Sequence, residues 1–104
     1  MAHWVDAMAV DAVKPGQCTV FESEIGPIAV VSVDGTIYAI EDRCSHDGGD
    51  LASGRCEGDQ LVCPRHGARF CVRTGEALSP PAYEAIEVFP ARVCKGRIQV
   101  DLGD

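Results

Sequence analysis

The residues with the most chemistry to offer in this 104-residue chain lie in two short stretches, Cys44-Ser45-His46 and, after sixteen intervening residues, Cys63-Pro64-Arg65-His66. Two of the chain's three histidines are here. Each stretch supplies one thiolate and one imidazole, donors that suit transition metals. Zinc is the commonest ion for such donors. Its Cys₂His₂ sites, however, take a cysteine pair and a histidine pair from separate motifs. Here each stretch mixes the two types, and Cys-x-His is tight for chelating a single ion. A Cys–His nucleophilic pair is a second possibility. It needs one exposed thiolate with a base and an orienting group, and two near-identical pairs match that poorly. Scattered core residues are the third. Cysteine is often buried, but histidine beside glycine in polar loops is not a core pattern.

The mixing makes sense for a centre of two metals with unlike ligands. A [2Fe–2S] cluster of the Rieske kind keeps two cysteines on one iron and two histidines on the other. Each stretch then gives one ligand to each iron, and the cluster is clamped between two loop tips. Pro64 fixes the backbone after Cys63. Gly67 allows close backbone approach, so that amide N–H groups can point at the cluster sulfurs, and Gly48 and Gly49 can do the same.

Such loops need a rigid frame. Residues 28–41, IAVVSVDGTIYAIE, carry two runs rich in Val and Ile around Asp34-Gly35, a favoured two-residue hairpin turn. Near the C-terminus, Ile86, Val88, Ile98, Val100 and Leu102 alternate with polar residues around a turn at Lys95-Gly96. Pro90 in the first arm predicts an edge strand or a bulge. Trp4-Val5, Cys18 to Phe21 and Gln60 to Cys63 read as further short strands. Residues 6–13 predict one helical turn, stopped by Lys14-Pro15-Gly16. From Arg43 to Asp59 the chain is polar and glycine-rich and reads as one long loop, the kind that carries function in compact domains. Short strands with frequent turn signals predict an all-β protein of stacked antiparallel sheets or a small barrel.

Composition sets outer limits. The length and the 46% apolar content fit one globular domain spanning 1–104. A net charge of −7 argues against nucleic acid, because nothing neutralises phosphates along a groove. It suits transient docking on basic partners, or simply solubility. The start MAHWVDAMAV has no basic n-region, and no run approaches the roughly 18 apolar residues of a membrane span. The expectation is a cytoplasmic protein with reduced thiols. Of its six cysteines, Cys18, Cys71 and Cys94 are then expected as buried thiols; Cys56 lies in the polar loop without an assigned role.

Cys44-Ser-His46, the run CPRHGARF at 63–70, Thr74-Gly75 and Pro80-Pro81 together resemble the Rieske-type ferredoxins of bacterial ring-hydroxylating dioxygenase systems. The resemblance covers nearly the whole chain. It implies the Rieske fold, with a cluster-binding subdomain of two loops (about 43–50 and 62–71) at one tip and a shielding proline loop (about 78–83). It implies that Cys44 and Cys63 bind the inner iron and that His46 and His66 bind the outer iron near solvent. The partners implied are an NAD(P)H-dependent flavoprotein reductase and a terminal oxygenase, served by a monomer. The docking rim would comprise Arg43, Asp47, Asp50, Arg65, Arg69 and Pro81.

High-potential members of the Rieske class carry an inter-loop disulfide where this chain has Gly49 and Arg65. They also carry hydroxyl donors where it has Ala68 and Phe70. The resemblance therefore implies a potential near the low end of the class, roughly −150 mV rather than +300 mV. The terminal-oxygenase role itself is excluded: with His46 and His66 committed only His3 remains for a second iron site, and no G-x-G-x-x-G motif follows a strand. What remains is one-electron transfer between other proteins. The alternatives are the small Rieske-like subunit of an assimilatory nitrite reductase and a zinc-stabilised binding module.

Overall fold

The computed structural model describes residues 2–103. Its strands are β1 (Trp4–Ala9), β2 (Cys18–Ser23), β3 (Gly26–Val33), β4 (Thr36–Glu41), β5 (Arg55–Glu57), β6 (Gln60–Val62), β7 (Arg69–Cys71), β8 (Val88–Phe89), β9 (Ala91–Cys94) and β10 (Arg97–Asp101). A single 3₁₀ turn spans Val10–Ala12, and there is no α-helix among the described residues. Among the described residues no helix is long and apolar enough to cross a membrane.

The strands form three antiparallel sheets, ordered β1-β10-β9, β2-β3-β4-β8 and β5-β6-β7. The middle sheet is the partition. On one face of the middle sheet, Ala29, Val31 and Val33 of β3 and Ile40 of β4 pack with Leu51, Leu61, Phe70 and Val72 of the small third sheet and its loops. On the other face Ile28 and Val30 pack with Phe89 of β8 and with Ile98 and Val100 of β10 in the terminal sheet. A strand covered on both faces cannot alternate apolar with polar residues, which is why β3 reads as the unbroken run IAVVSV. Cys44 and Cys63 belong to the first of these two cores, so the ligand loops rest directly on packed apolar side chains.

Both predicted hairpins are present. Asp34 and Gly35 have φ of 50° and 82°, and Lys95 and Gly96 have 52° and 78°. Positive φ at both central residues marks a type I′ turn, whose twist matches the flanking strands. Pro90 falls between β8 and β9, where the chain leaves the middle sheet for the terminal one, and its carbonyl accepts from the Asp101 N–H at 2.9 Å.

Four expectations need correction. Asp6 to Ala9 belong to β1, which pairs with β10 through a register shift between Asp6 and Met8; only 10–12 make a helical turn. The long loop ends at Gly54, because 55–57 pair with β6 as a strand. The second ligand loop is also shorter than predicted, since Arg69–Cys71 forms β7 against β6. Cys94 is exposed in the closing hairpin and Cys18 and Cys71 are only half-buried, so a strand position did not imply a buried thiol.

Candidate metal centre

Cys44 follows β4, and Cys63 follows β6. The backbone then closes the same turn twice. The Cys44 N–H donates to the Gly49 carbonyl at 2.7 Å, and the Gly48 N–H donates back to the Cys44 carbonyl at 2.8 Å. In the second loop the Cys63 N–H donates to Ala68 at 2.7 Å and the Gly67 N–H to Cys63 at 3.0 Å. The fourth residue after each cysteine must turn with positive φ, and glycine sits there both times, at 76° for Gly48 and 75° for Gly67. The Gly48 and Gly67 amides are thus themselves bonded to carbonyls. The Gly49 N–H is likewise taken, by Asp47 Oδ1 at 2.9 Å. The His46 and Asp47 amides bear on the Cys44 thiol and favour its charged form.

The two turns bring all four predicted ligand residues together and sort them by type. The Cys44 and Cys63 side chains are buried, 0% and 2% exposed, while both histidines lie on the surface. The His46 and His66 rings meet edge to face with centroids 4.9 Å apart. Ligand atoms within 4.8 Å of one another fall into two sets, one with both thiols and one with both imidazoles. Asp47 is common to the two sets, but its carboxylate is engaged elsewhere, by Arg65 and the Gly49 N–H. No set among the described residues combines thiol with imidazole, as a single tetrahedral zinc would require. Paired sulfurs inside and paired imidazole nitrogens outside fit two irons of unlike ligation.

Charge on the Cys44 sulfur is governed first by burial. Burial pushes the Cys44 thiol above its ordinary value, the two backbone N–H donors pull it down, and the neighbouring Cys63 thiol pushes it up again. Two adjacent buried thiolates repel each other and need a cation between them. Cys18 is pushed up to about 12, mainly by burial and then by the Asp42 carboxylate, so it stays a thiol. Burial also raises Cys56, whose sulfur contacts the Gly58 carbonyl at 3.4 Å.

Two residues that the sequence did not single out are notable, Asp42 within the first loop's frame and Tyr83 on the surface. Asp42 is 5% exposed, and its Oδ1 accepts from the Leu51 and Ala52 N–H groups at 2.7 and 2.8 Å. It pins the far half of the first loop to the end of β4. A lone Asp after a strand carries little signal, although an Asp before a glycine-rich loop is a known organiser of turn amides. Tyr83 is 82% exposed beside the proline loop. That loop, which contains the cis Pro80-Pro81 bond, is tied to the first ligand loop and to β7, the strand that follows the second. Ser45 Oγ donates to the Glu84 carbonyl at 2.6 Å, and Ser79 Oγ accepts from the Arg69 N–H at 3.1 Å.

The cations of the expected docking rim are already paired within the chain. Arg43 meets Glu41 at 3.5 Å, Arg69 meets Glu57 at 2.8 Å, and Arg65 bonds Asp47 and Asp50. The rim thus presents little free positive charge. Exposed apolar groups nearby in the chain are Leu78 and Tyr83 at the proline loop, and Ile25, which lines a pocket with Arg43 and Gly48.

Residues 3–90 match the Rieske [2Fe-2S] domain family. The biphenyl dioxygenase ferredoxin subunit of Pseudomonas sp. (strain KKS102) is 36% identical over 96 residues, 91% of this chain and 88% of that protein. A chain from the complex of reduced oxygenase and oxidized ferredoxin in carbazole 1,9a-dioxygenase superposes with a TM-score of 0.89 at 33% identity, covering 94% and 92% of the two chains. The Sphingomonas yanoikuyae B1 ferredoxin superposes with a TM-score of 0.91 at 27% identity, covering 97% of this chain and all of that one. Two buried thiols, two surface imidazoles and this match over nearly the full length lead to one conclusion: the chain belongs to the Rieske [2Fe–2S] family, as an electron-carrying ferredoxin of the ring-hydroxylating dioxygenase type with a Rieske cluster as its cofactor.

Proposed function

We propose that Cys44 and Cys63 hold one iron and His46 and His66 the other, and that the chain carries single electrons from an NAD(P)H-dependent flavoprotein reductase to a terminal aromatic-ring dioxygenase. The observation that carries this reading is the sorting of the donors, thiols within the core and both imidazoles at the surface. The cluster, when bound, supplies a one-electron couple. The protein supplies its position. Its imidazole side faces outward, so a docked partner approaches without rearrangement of the core. Docking uses the exposed Tyr83 and Leu78 of the proline loop, whose neighbour Glu84 is bonded to Ser45 of the first ligand loop, rather than the rim cations, which are paired within the chain. Small apolar contact area suits fast, weak encounters, as repeated electron delivery requires.

The chain acts as a single domain over 1–104, as a monomer in the cytoplasm. Its potential lies toward the low end of the Rieske range. Ala68 and Phe70, both 0% exposed, stand in the second ligand loop and the strand it feeds, and neither offers a hydroxyl to the cluster. Removing such donors leaves the extra electron less stabilised.

The test is spectroscopic. Anaerobically purified protein reduced with dithionite gives the EPR signature of a histidine-ligated [2Fe–2S] cluster with a midpoint below about 0 mV, and His46→Ala or Cys63→Ala abolishes it. An unchanged signal in either variant refutes the ligand assignment. Reduced protein then delivers electrons to an aromatic-ring dioxygenase; delivery to a sirohaem nitrite reductase alone would refute the proposed partner.

A further inference from the structure

Arg65 lies between Pro64 and His66, yet its side chain belongs to the other loop. Its Nε donates to Asp47 Oδ2 at 2.5 Å and its Nη2 to Asp47 Oδ1 at 3.1 Å, a two-point grip on one carboxylate. Nη2 also donates to the Asp50 carbonyl at 2.8 Å, and Nη1 reaches Asp50 Oδ1 at 3.5 Å. The guanidinium rests directly on the Gly49 backbone: a Cβ there would lie 2.6 Å from Arg65 Cζ. Asp47 completes its own set of bonds through the Gly49 N–H at 2.9 Å, and its Oδ2 stands 3.6 Å from His66 Nδ1. The Arg65 and Asp47 side chains are only 33% and 20% exposed, so water screens the pair less than an ordinary surface salt bridge.

We infer that Arg65 is a positioning residue, an ionic clamp that joins the two ligand loops and balances the charge beside the imidazole pair. This rests on the ligand assignment proposed above. Three features make it more than a surface pair. The grip is bidentate, which fixes orientation as well as distance. It spans the two loops, so it acts on the gap that a cluster must fill. It also requires glycine at 49, because any side chain there meets the guanidinium.

The clamp has two separable effects, one of geometry and one of charge. Arg65→Gln leaves the Asp47 carboxylate uncompensated beside His66. Negative charge disfavours the added electron, so the reduction equilibrium falls. Asp47→Asn leaves the guanidinium uncompensated and raises it. The double variant removes both charges and returns the equilibrium toward wild type, while the loops remain unclamped. Arg65→Lys keeps the charge but not the two-point grip.

The experiment is redox titration of the holoprotein, with chelator-driven cluster loss followed by visible absorbance, across these four variants. Expected are shifts of opposite sign in the two single charge variants, each up to about tenfold, or about 59 mV for one electron. The double variant and Arg65→Lys should titrate within about threefold of wild type, yet all four should lose the cluster several-fold faster. Wild-type release rates and an unmoved midpoint in Arg65→Gln would overturn the clamp. Wild-type protein without the spectrum of histidine ligation would instead overturn the ligand reading beneath it.

Discussion

Replacing Asp42 with alanine should loosen the first ligand loop more than any other single change to an unligated residue there. The carboxylate is 5% exposed and accepts two backbone N–H groups, from Leu51 at 2.7 Å and Ala52 at 2.8 Å. Hydrogen bonds to a charged group contribute roughly 1.5–3 kcal/mol each. The Leu51 amide is buried and loses its partner outright, whereas the half-buried Ala52 amide can turn to water, so the second loss is smaller. Relief of the carboxylate's own desolvation offsets part of the total, leaving about 3 kcal/mol. With a urea slope near 2 kcal/mol/M for a small protein, the midpoint falls by about 1.5 M. Asp42→Asn keeps an acceptor oxygen in place but loses the charge assistance, and should cost about half as much. The assay is urea denaturation followed in parallel by far-UV circular dichroism and by the visible absorbance of the cluster. The cluster signal should fail first in Asp42→Ala, because the unpinned segment lies between the two ligand stretches. A midpoint within about 0.3 M of wild type, or equal damage from Asn and Ala, would refute the reasoning.

Two further outcomes follow from exposed groups. Tyr83→Ala removes a side chain that is 82% exposed, so thermal stability and the cluster spectrum should not change. The carrier concentration giving half-maximal turnover of a partner dioxygenase should rise about five- to tenfold, as for an exposed aromatic anchor; an unchanged value would place the docking face elsewhere. Asp101 accepts from the His3 N–H at 2.7 Å and the Gly103 N–H at 2.9 Å, and these bonds hold its carboxylate below the ordinary range. A lowered native value means that the carboxylate's contribution is complete above the unfolded value and is lost as pH falls through the native one. The stability margin of wild type over Asp101→Asn should therefore be constant from about pH 6 to 8 and shrink below about pH 4. A margin that grows in acid would contradict that sign.

The frame was legible where local chemistry and tertiary role agree. Asp34-Gly35 and Lys95-Gly96 demand a type I′ geometry, and the flanking apolar runs can only be strands. Asp6 to Ala9 misled because DAMA has good helix formers, and only pairing with β10 makes it extended. Arg55–Glu57 and Arg69–Cys71 were hidden for a related reason. Each is only three residues long, and both are strands because β6 lies between them. Cys94 read as buried from its place in a strand, yet β9 is an edge of the terminal sheet and its residues 92–94 face solvent. That Cys44, His46, Cys63 and His66 would come together was legible from spacing, whereas the Arg65–Asp47 pair was not, since nothing in sequence relates positions eighteen apart across two loops.

The two ligand loops differ by one position, and that difference has a structural meaning. Each begins at a cysteine whose carbonyl accepts from the glycine four residues on, and whose amide donates to the residue after that glycine. The frames are therefore equivalent, yet histidine occupies the second place after Cys44 and the third after Cys63. From these different places the two rings meet edge to face at 90°, with centroids 4.9 Å apart. The offset leaves the second place of loop two open for Arg65, from which the guanidinium reaches Asp47 across the gap. Cys-x-His in one loop and Cys-x-x-His in the other are thus two fillings of one turn: the cysteine position fixes the buried sulfurs, and the shifted histidine position makes room for the clamp.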